Sequence, residues 1–145
     1  MFTSVHARAA RAYQRVATET SVQGADAHKL VELLFDALQR HLGTAASAIE
    51  RRDIGAKGTS IGKAVRIIEE GLKAGLNVRE GGELAVNLRQ VYDYSIVRLT
   101  HANLHNDAAA VAEVQALIEP IAESWSRIKG PEPAYLQPVT TPAGA

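Results

Sequence analysis

His101 and His105 stand four residues apart. On a helix that spacing brings two imidazoles to one face, where a divalent transition metal could share them. A third ligand is missing unless Asp107 or another element supplies it, so the pair reads as an exposed helix end and no metal site is expected. A di-iron bundle would require Glu-x-x-His on each of two helices. The residues three before the histidines are Thr3, Ala25, Leu38, Arg98 and Ala102, none of them acidic. Gly58-Thr59-Ser60-Ile61-Gly62-Lys63 is rich in glycine, but it matches no phosphate-binding loop, and no strand precedes it. Serines occur without a G-x-S-x-G elbow. Glu69 and Glu70 are adjacent, so on a helix they point in different directions and cannot act as an acid/base pair. Cysteine is absent, which removes thiolate ligands and Cys nucleophiles. Neither a catalytic group nor a cofactor is expected, and the chain does not read as an enzyme.

What remains is a cluster of amide, carboxylate and phenol groups: Asn87, Tyr92, Asp93, Tyr94 and Asn103. Two readings are open. Either Tyr92 fills a core while Tyr94 is partly exposed, or these groups line a groove for a guest peptide, which needs apolar contact and a few polar partners.

The elements that carry these residues are helical. Four blocks repeat apolar residues at spacings of three and four. The first covers residues 27 to 51, with Leu30, Leu34, Leu38, His41, Ala45 and Ile49 in one row and Asp26 placed as its N-cap. At ~1.5 Å per residue it should be about 37 Å long. The second covers residues 58 to 77 through Ile61, Val65, Ile68, Leu72 and Leu76. Gly71 and Gly75 share a face there and imply close helix packing, with a groove for another chain as the second choice. Arg79-Glu80-Gly81-Gly82 is expected to be the turn, because glycine accepts left-handed backbone. The third block covers residues 83 to 103, with Leu84, Leu88, Val91, Ser95, Leu99 and Ala102 in its row. Asp107 is placed to cap the fourth, where Val111, Val114, Ile118, Ile121, Trp125 and Ile128 form a heptad seam. Pro120 predicts a kink between Ala116 and Glu119.

The fold class is therefore all-α: an antiparallel four-helix bundle over residues 26–129. A short helix over Val5 to Glu19 is expected within an N-terminal segment, residues 1–25. Four of the five prolines lie after Gly130, so residues 130–145 read as a disordered tail, dispensable for folding. The chain has 145 residues, one ordinary domain. Sixteen Lys and Arg balance sixteen Asp and Glu, which argues against general nucleic-acid binding. No run approaches the ~18 apolar residues of a membrane helix, and the N-terminal stretch lacks the apolar core of a secretory signal. A cytoplasmic protein is expected.

The order of residues is also informative. Glu80-Gly81-Gly82-Glu83-Leu84-Ala85, Asn87-Leu88, Val91-Tyr92-Asp93-Tyr94, Leu99, Ala102-Asn103 and Asp107 follow one another as in a known family. Tyr13-Gln14, the stretch Leu30-Val31-Glu32-Leu33-Leu34-Phe35-Asp36 and Trp125 agree with it. Between Tyr13 and Trp125 the chain resembles the flagellar export chaperone family FliS. It departs from the family where Asp26-Ala27 stands for a frequent Ser-Pro, and at Pro120. The resemblance implies a cytoplasmic chaperone that wraps the disordered C-terminal segment of flagellin, prevents early polymerisation and presents flagellin to the export gate of the flagellar type III apparatus.

The candidate binding residues lie beside the main rows. They are Leu33 and Phe35 on the first long helix, and Asn87, Tyr92, Tyr94 and Ile96 on the third. Leu84, Leu88 and Leu99 are expected to hold the core. The resemblance also assigns Tyr13 to a movable cover that vacates the groove and touches the export gate. The alternative is a structural bundle that forms a homodimer through the seam from Val111 to Ile128.

Overall fold

The computed structural model describes residues 27–128. The N-terminal segment with Tyr13, the Asp26 cap and the tail after Gly130 lie outside the described residues. Within them the chain forms α1 (Ala27–Arg51), α2 (Ile54–Arg66) continuing into a π-helical segment (Ile67–Lys73), α3 (Val78–His105) and α4 (Ala108–Arg127), with no strand. The all-α bundle expected from the periodicity is present.

Helices that follow one another in sequence pack together, α4 also packs on α1, and the backbones of the diagonal pairs stay apart. The direction is antiparallel. Leu34, early in α1, meets Gly71 in the π-helical segment. Lys57, early in α2, meets Asn103 at the end of α3. His28, at the start of α1, meets Trp125 at the end of α4. Ala27 and Ile128 therefore lie at the same end of the bundle.

The first turn departs from expectation. Arg52 takes left-handed backbone (φ 58°), and Asp53 caps α2 by accepting from the Ala56 amide at 3.0 Å. The helix thus begins at Ile54, ahead of the apolar row, because the Asp53 carboxylate satisfies the Ala56 amide, one of the first-turn donors that have no partner within the helix. The second turn falls earlier than the glycine pair predicts. Asn77 caps α3 by accepting from the Glu80 amide at 3.1 Å, and one helical turn forms before Gly82 breaks it with φ 55°, ψ −132°. Only Gly82 of the pair uses positive φ. An L side chain is strained there, so Gly82→Ala should cost about 1–3 kcal/mol. Denaturant melts of this variant would show a lower midpoint; an unchanged midpoint would mean the kink relaxes without strain.

At the third turn Asn106 is left-handed (φ 52°), and Asp107 accepts from the Ala110 amide at 3.2 Å. Lys57 is buried beside it, donating to the Asn103 carbonyl at 2.8 Å and to Asn106 Oδ1 at 2.6 Å. Its charge sits on carbonyls at the negative end of α3, where a cation is favoured.

The core contains Leu34, Leu38 and Leu42 from α1, Ile61 and Ala64 from α2, Ile68 and Leu72 from the π-helical segment, Tyr92, Leu99 and Ala102 from α3, and Val111, Val114, Ile118 and Trp125 from α4. A Cβ added to Gly71 would stand 3.1 Å from Leu34 Cδ1. Close packing is thus the role of Gly71.

Two expectations are corrected. Leu84 is 50% exposed and Leu88 only half-buried, because the buried row of α3 runs through Ala85, Tyr92, Ser95, Leu99 and Ala102, and Leu84 stands one position off it. The Val111–Ile128 seam faces the bundle's own interior, with Val111, Val114 and Ile118 inaccessible, so it offers no dimer interface. Separately, α4 runs from Ala108 to Arg127 without a break, with Pro120 inside it. Ala116 and Pro120 are both exposed, so the carbonyl that loses its partner amide can bond water instead.

Candidate functional site

The proposed binding residues do not share one environment. Phe35 is 4% and Tyr92 3% exposed, so both belong to the core. Leu33 and Ile96 are half-buried and packed against it. Asn87 and Tyr94 are exposed on α3. Of the two readings of the aromatic pair, the one with Tyr92 inside and Tyr94 outside is realised. The first long helix buries a wider arc than its main row suggests, because it packs on both α2 and α4; that width draws Phe35 inward.

Tyr94 and its neighbours form the best-defined surface feature. Tyr94 donates its phenol to Glu113 Oε2 at 2.5 Å. Arg98 Nε donates to the other oxygen of the same carboxylate at 2.6 Å. The pair bridges α3 to α4 at solvent. Charge-assisted bonds of this kind are stronger than neutral ones. Donating to the Glu113 carboxylate pushes the Tyr94 phenol above its ordinary pKa. The bonds from Tyr94 and then from Arg98 hold Glu113 below the usual carboxylate range.

Tyr94, Val97, His101 and Leu104 follow at spacings of three, four and three, so they share a face of α3. It lies opposite the buried row of Tyr92, Ser95, Leu99 and Ala102. Val97 is 64% and Leu104 75% exposed. These two residues are absent from the expected site. The signal was legible: a second three-and-four spacing on the far side of a helix that already had a core face.

Beside this face, Lys73 Nζ reaches Asp93 at 2.6 Å and Glu69 at 3.5 Å. The Asp93 bond raises the lysine pKa, against partial desolvation. It ties the π-helical segment to the middle of α3. The imidazoles of His101 and His105 lie 4.5 Å apart, and His101 Nε2 is 3.3 Å from Asp107 Oδ2. Among the described residues no three His, Asp or Glu side chains form a metal-binding set, and no helix is long and apolar enough to cross a membrane.

The chain is similar to known proteins over most of its length. The family described as flagellar protein FliS matches residues 9–132. The chain is 48% identical over 118 residues to the flagellar secretion chaperone FliS of Salmonella typhimurium, covering 81% of this chain and 87% of that one. It is 41% identical over 121 residues to the flagellar secretion chaperone FliSB of Pseudomonas aeruginosa, covering 83% and 95%. Identity to the FliS chaperone of Escherichia coli is 39% over 119 residues, covering 82% and 88%.

Proposed function

From the premise that this chain belongs to the FliS family, we propose that it is a cytoplasmic flagellar export chaperone that holds the C-terminal segment of flagellin in helical form until export. The observation that carries this reading is the outer face of α3. Among the described residues, five large apolar side chains are exposed: Ile54, Leu84, Tyr94, Val97 and Leu104. Of these, Tyr94, Val97 and Leu104 share the outer face of α3, and Leu84 lies near the start of the same helix, just after Gly82. An amphipathic guest helix would cover them with its own apolar side and leave its charged side in water. Ordering a disordered guest opposes binding by about 2–5 kcal/mol, so contact must be extended rather than confined to one pocket. Half-buried Leu33 and Ile96 extend the contact at the edges of α1 and α3, and Asn87 supplies an amide for the guest's polar atoms.

The N-terminal segment joins the bundle at the His28–Trp125 end. In this reading it carries Tyr13 as a cover that leaves when flagellin binds and then contacts the export gate. Self-association is the weaker reading, since its seam is internal.

Calorimetric titration with a flagellin C-terminal peptide tests the proposal. The unaltered chain should bind. Asn87→Ala and Val97→Asp, both at exposed positions, should leave the melting temperature nearly unchanged and weaken binding by more than ~1 kcal/mol if they are hot spots. Ile96→Asp is less discriminating, because Ile96 packs on the core and its replacement lowers stability as well. If Asn87→Ala and Val97→Asp bind as the unaltered chain does, the guest lies elsewhere.

A further inference from the structure

Tyr94 is the one tyrosine on the outer face of α3, and its phenol is not free. It is held by Glu113 at 2.5 Å, and Glu113 is held in turn by Arg98 at 2.6 Å. All three are polar groups near solvent, with side-chain exposures of 28% for Arg98 and 39% for Glu113, so the arrangement is not required to satisfy a buried donor. Its effect is geometric. A phenol fixed at its oxygen and tethered at its Cα has both side-chain torsions set. Its ring is then held close to the α3–α4 seam before any guest arrives.

We propose that Glu113 is a positioning residue for guest binding, holding the Tyr94 ring as a preformed aromatic platform, with Arg98 fixing the carboxylate that does so. This rests on the reading above, in which the outer face of α3 meets the guest. Rigid aromatic side chains make effective contact surfaces because little rotamer freedom is left to lose when they are covered. A mobile Tyr94 would have to be ordered during binding.

Arg98 matters for a second reason. It gives the carboxylate a cation, so Glu113 stays charged and its acceptor oxygens stay aimed. The neutral amide introduced by Glu113→Gln would still offer one oxygen to the phenol but would lose the Arg98 charge pair. The conservative variant should therefore recover part of the effect.

The test is a double-mutant cycle read by calorimetric titration with the flagellin C-terminal peptide, on full-length protein whose helical spectrum is checked first. Glu113→Ala and Tyr94→Phe should each weaken binding about three- to tenfold, the range set by ordering one side chain. Glu113→Gln should fall between the unaltered chain and Glu113→Ala. In the Tyr94→Phe background, Glu113→Ala should add almost nothing, because the bond it removes is already gone. Alkaline titration of tyrosine absorbance, kept to pH values at which both proteins retain their helical spectrum, should also show one phenol ionising at lower pH in Glu113→Ala than in the unaltered chain. If Glu113→Ala weakens binding equally in both backgrounds, or neither single variant weakens it while the unaltered chain binds, the positioning role is overturned and the functional reading stands. If the unaltered chain fails to bind the peptide, the functional reading falls and this role falls with it.

Discussion

Leu34→Ala should lower the unfolding free energy by about 3–5 kcal/mol. Leu34 is fully inaccessible, and its side chain lies between α1 and the π-helical segment, against Gly71. Truncation removes transfer free energy and leaves a hole that two rigid helices cannot close. The melting temperature should fall by roughly 10 °C or more. Gly71 makes the result diagnostic. In the unaltered chain a Cβ at position 71 stands 3.1 Å from Leu34 Cδ1, so overpacking of about 1–3 kcal/mol opposes the ~1 kcal/mol that Ala gains over Gly in a helix. Gly71→Ala should thus be neutral to destabilising. Once Leu34 is replaced by Ala, the same methyl enters vacated space, and the substitution should become stabilising. Urea melts of the four proteins in this cycle decide it. An equal effect of Gly71→Ala in both backgrounds would show that the two residues do not share the space the geometry assigns them.

Trp125→Ala is the second large effect, at about 3–5 kcal/mol. The chain has a single tryptophan. Its indole is 2% exposed and stacks on His28 with ring centroids 4.6 Å apart and an interplanar angle of 19°. The indole N–H donates to the His28 carbonyl at 3.0 Å, and His28 Nε2 donates to the Trp125 carbonyl at 3.0 Å. This reciprocal pair fastens the first turn of α1 to the last turn of α4, at the end where both terminal segments join the bundle. Trp125→Phe keeps an aromatic ring but loses the indole N–H and its bond to the His28 carbonyl, so it should cost less, about 1–3 kcal/mol. Calorimetric melting orders the three proteins: unaltered above Trp125→Phe above Trp125→Ala. Two variants of equal stability would assign the effect to the hydrogen bond rather than to the ring.

These two contacts also divide what sequence could and could not convey. The row through Leu34 and Leu38 is plain in the spacing, because a helix must place residues three and four apart on one side, and water excludes that side wherever a partner exists. For the same reason the limits of α1, the Asp107 cap and the inward orientation of Val111, Val114 and Ile118 follow from local pattern. The order of residues from Glu80 to Asp107, together with Trp125, was enough to indicate the family.

The partner of each face was not legible. Helical periodicity states that a stripe exists but not how wide an arc its neighbours cover. Phe35 and Tyr92 looked like border residues and became core because α1 and α3 are each flanked on two sides. Leu84 looked like core and became surface because the buried row of α3 starts at Ala85, one residue on, and leaves Leu84 beside it.

The amino-acid sequence by itself determined the all-α class, the helical blocks, most of the core and the family, since each follows from short-range geometry or residue order. The tertiary structure alone decided that His28 closes on Trp125, that Lys57 sits on the end of α3 and that Glu113 holds Tyr94. The partners in these contacts lie 97, 46 and 19 residues apart. No periodicity reaches across such distances; only the packing of one helix on another brings the groups within bonding range.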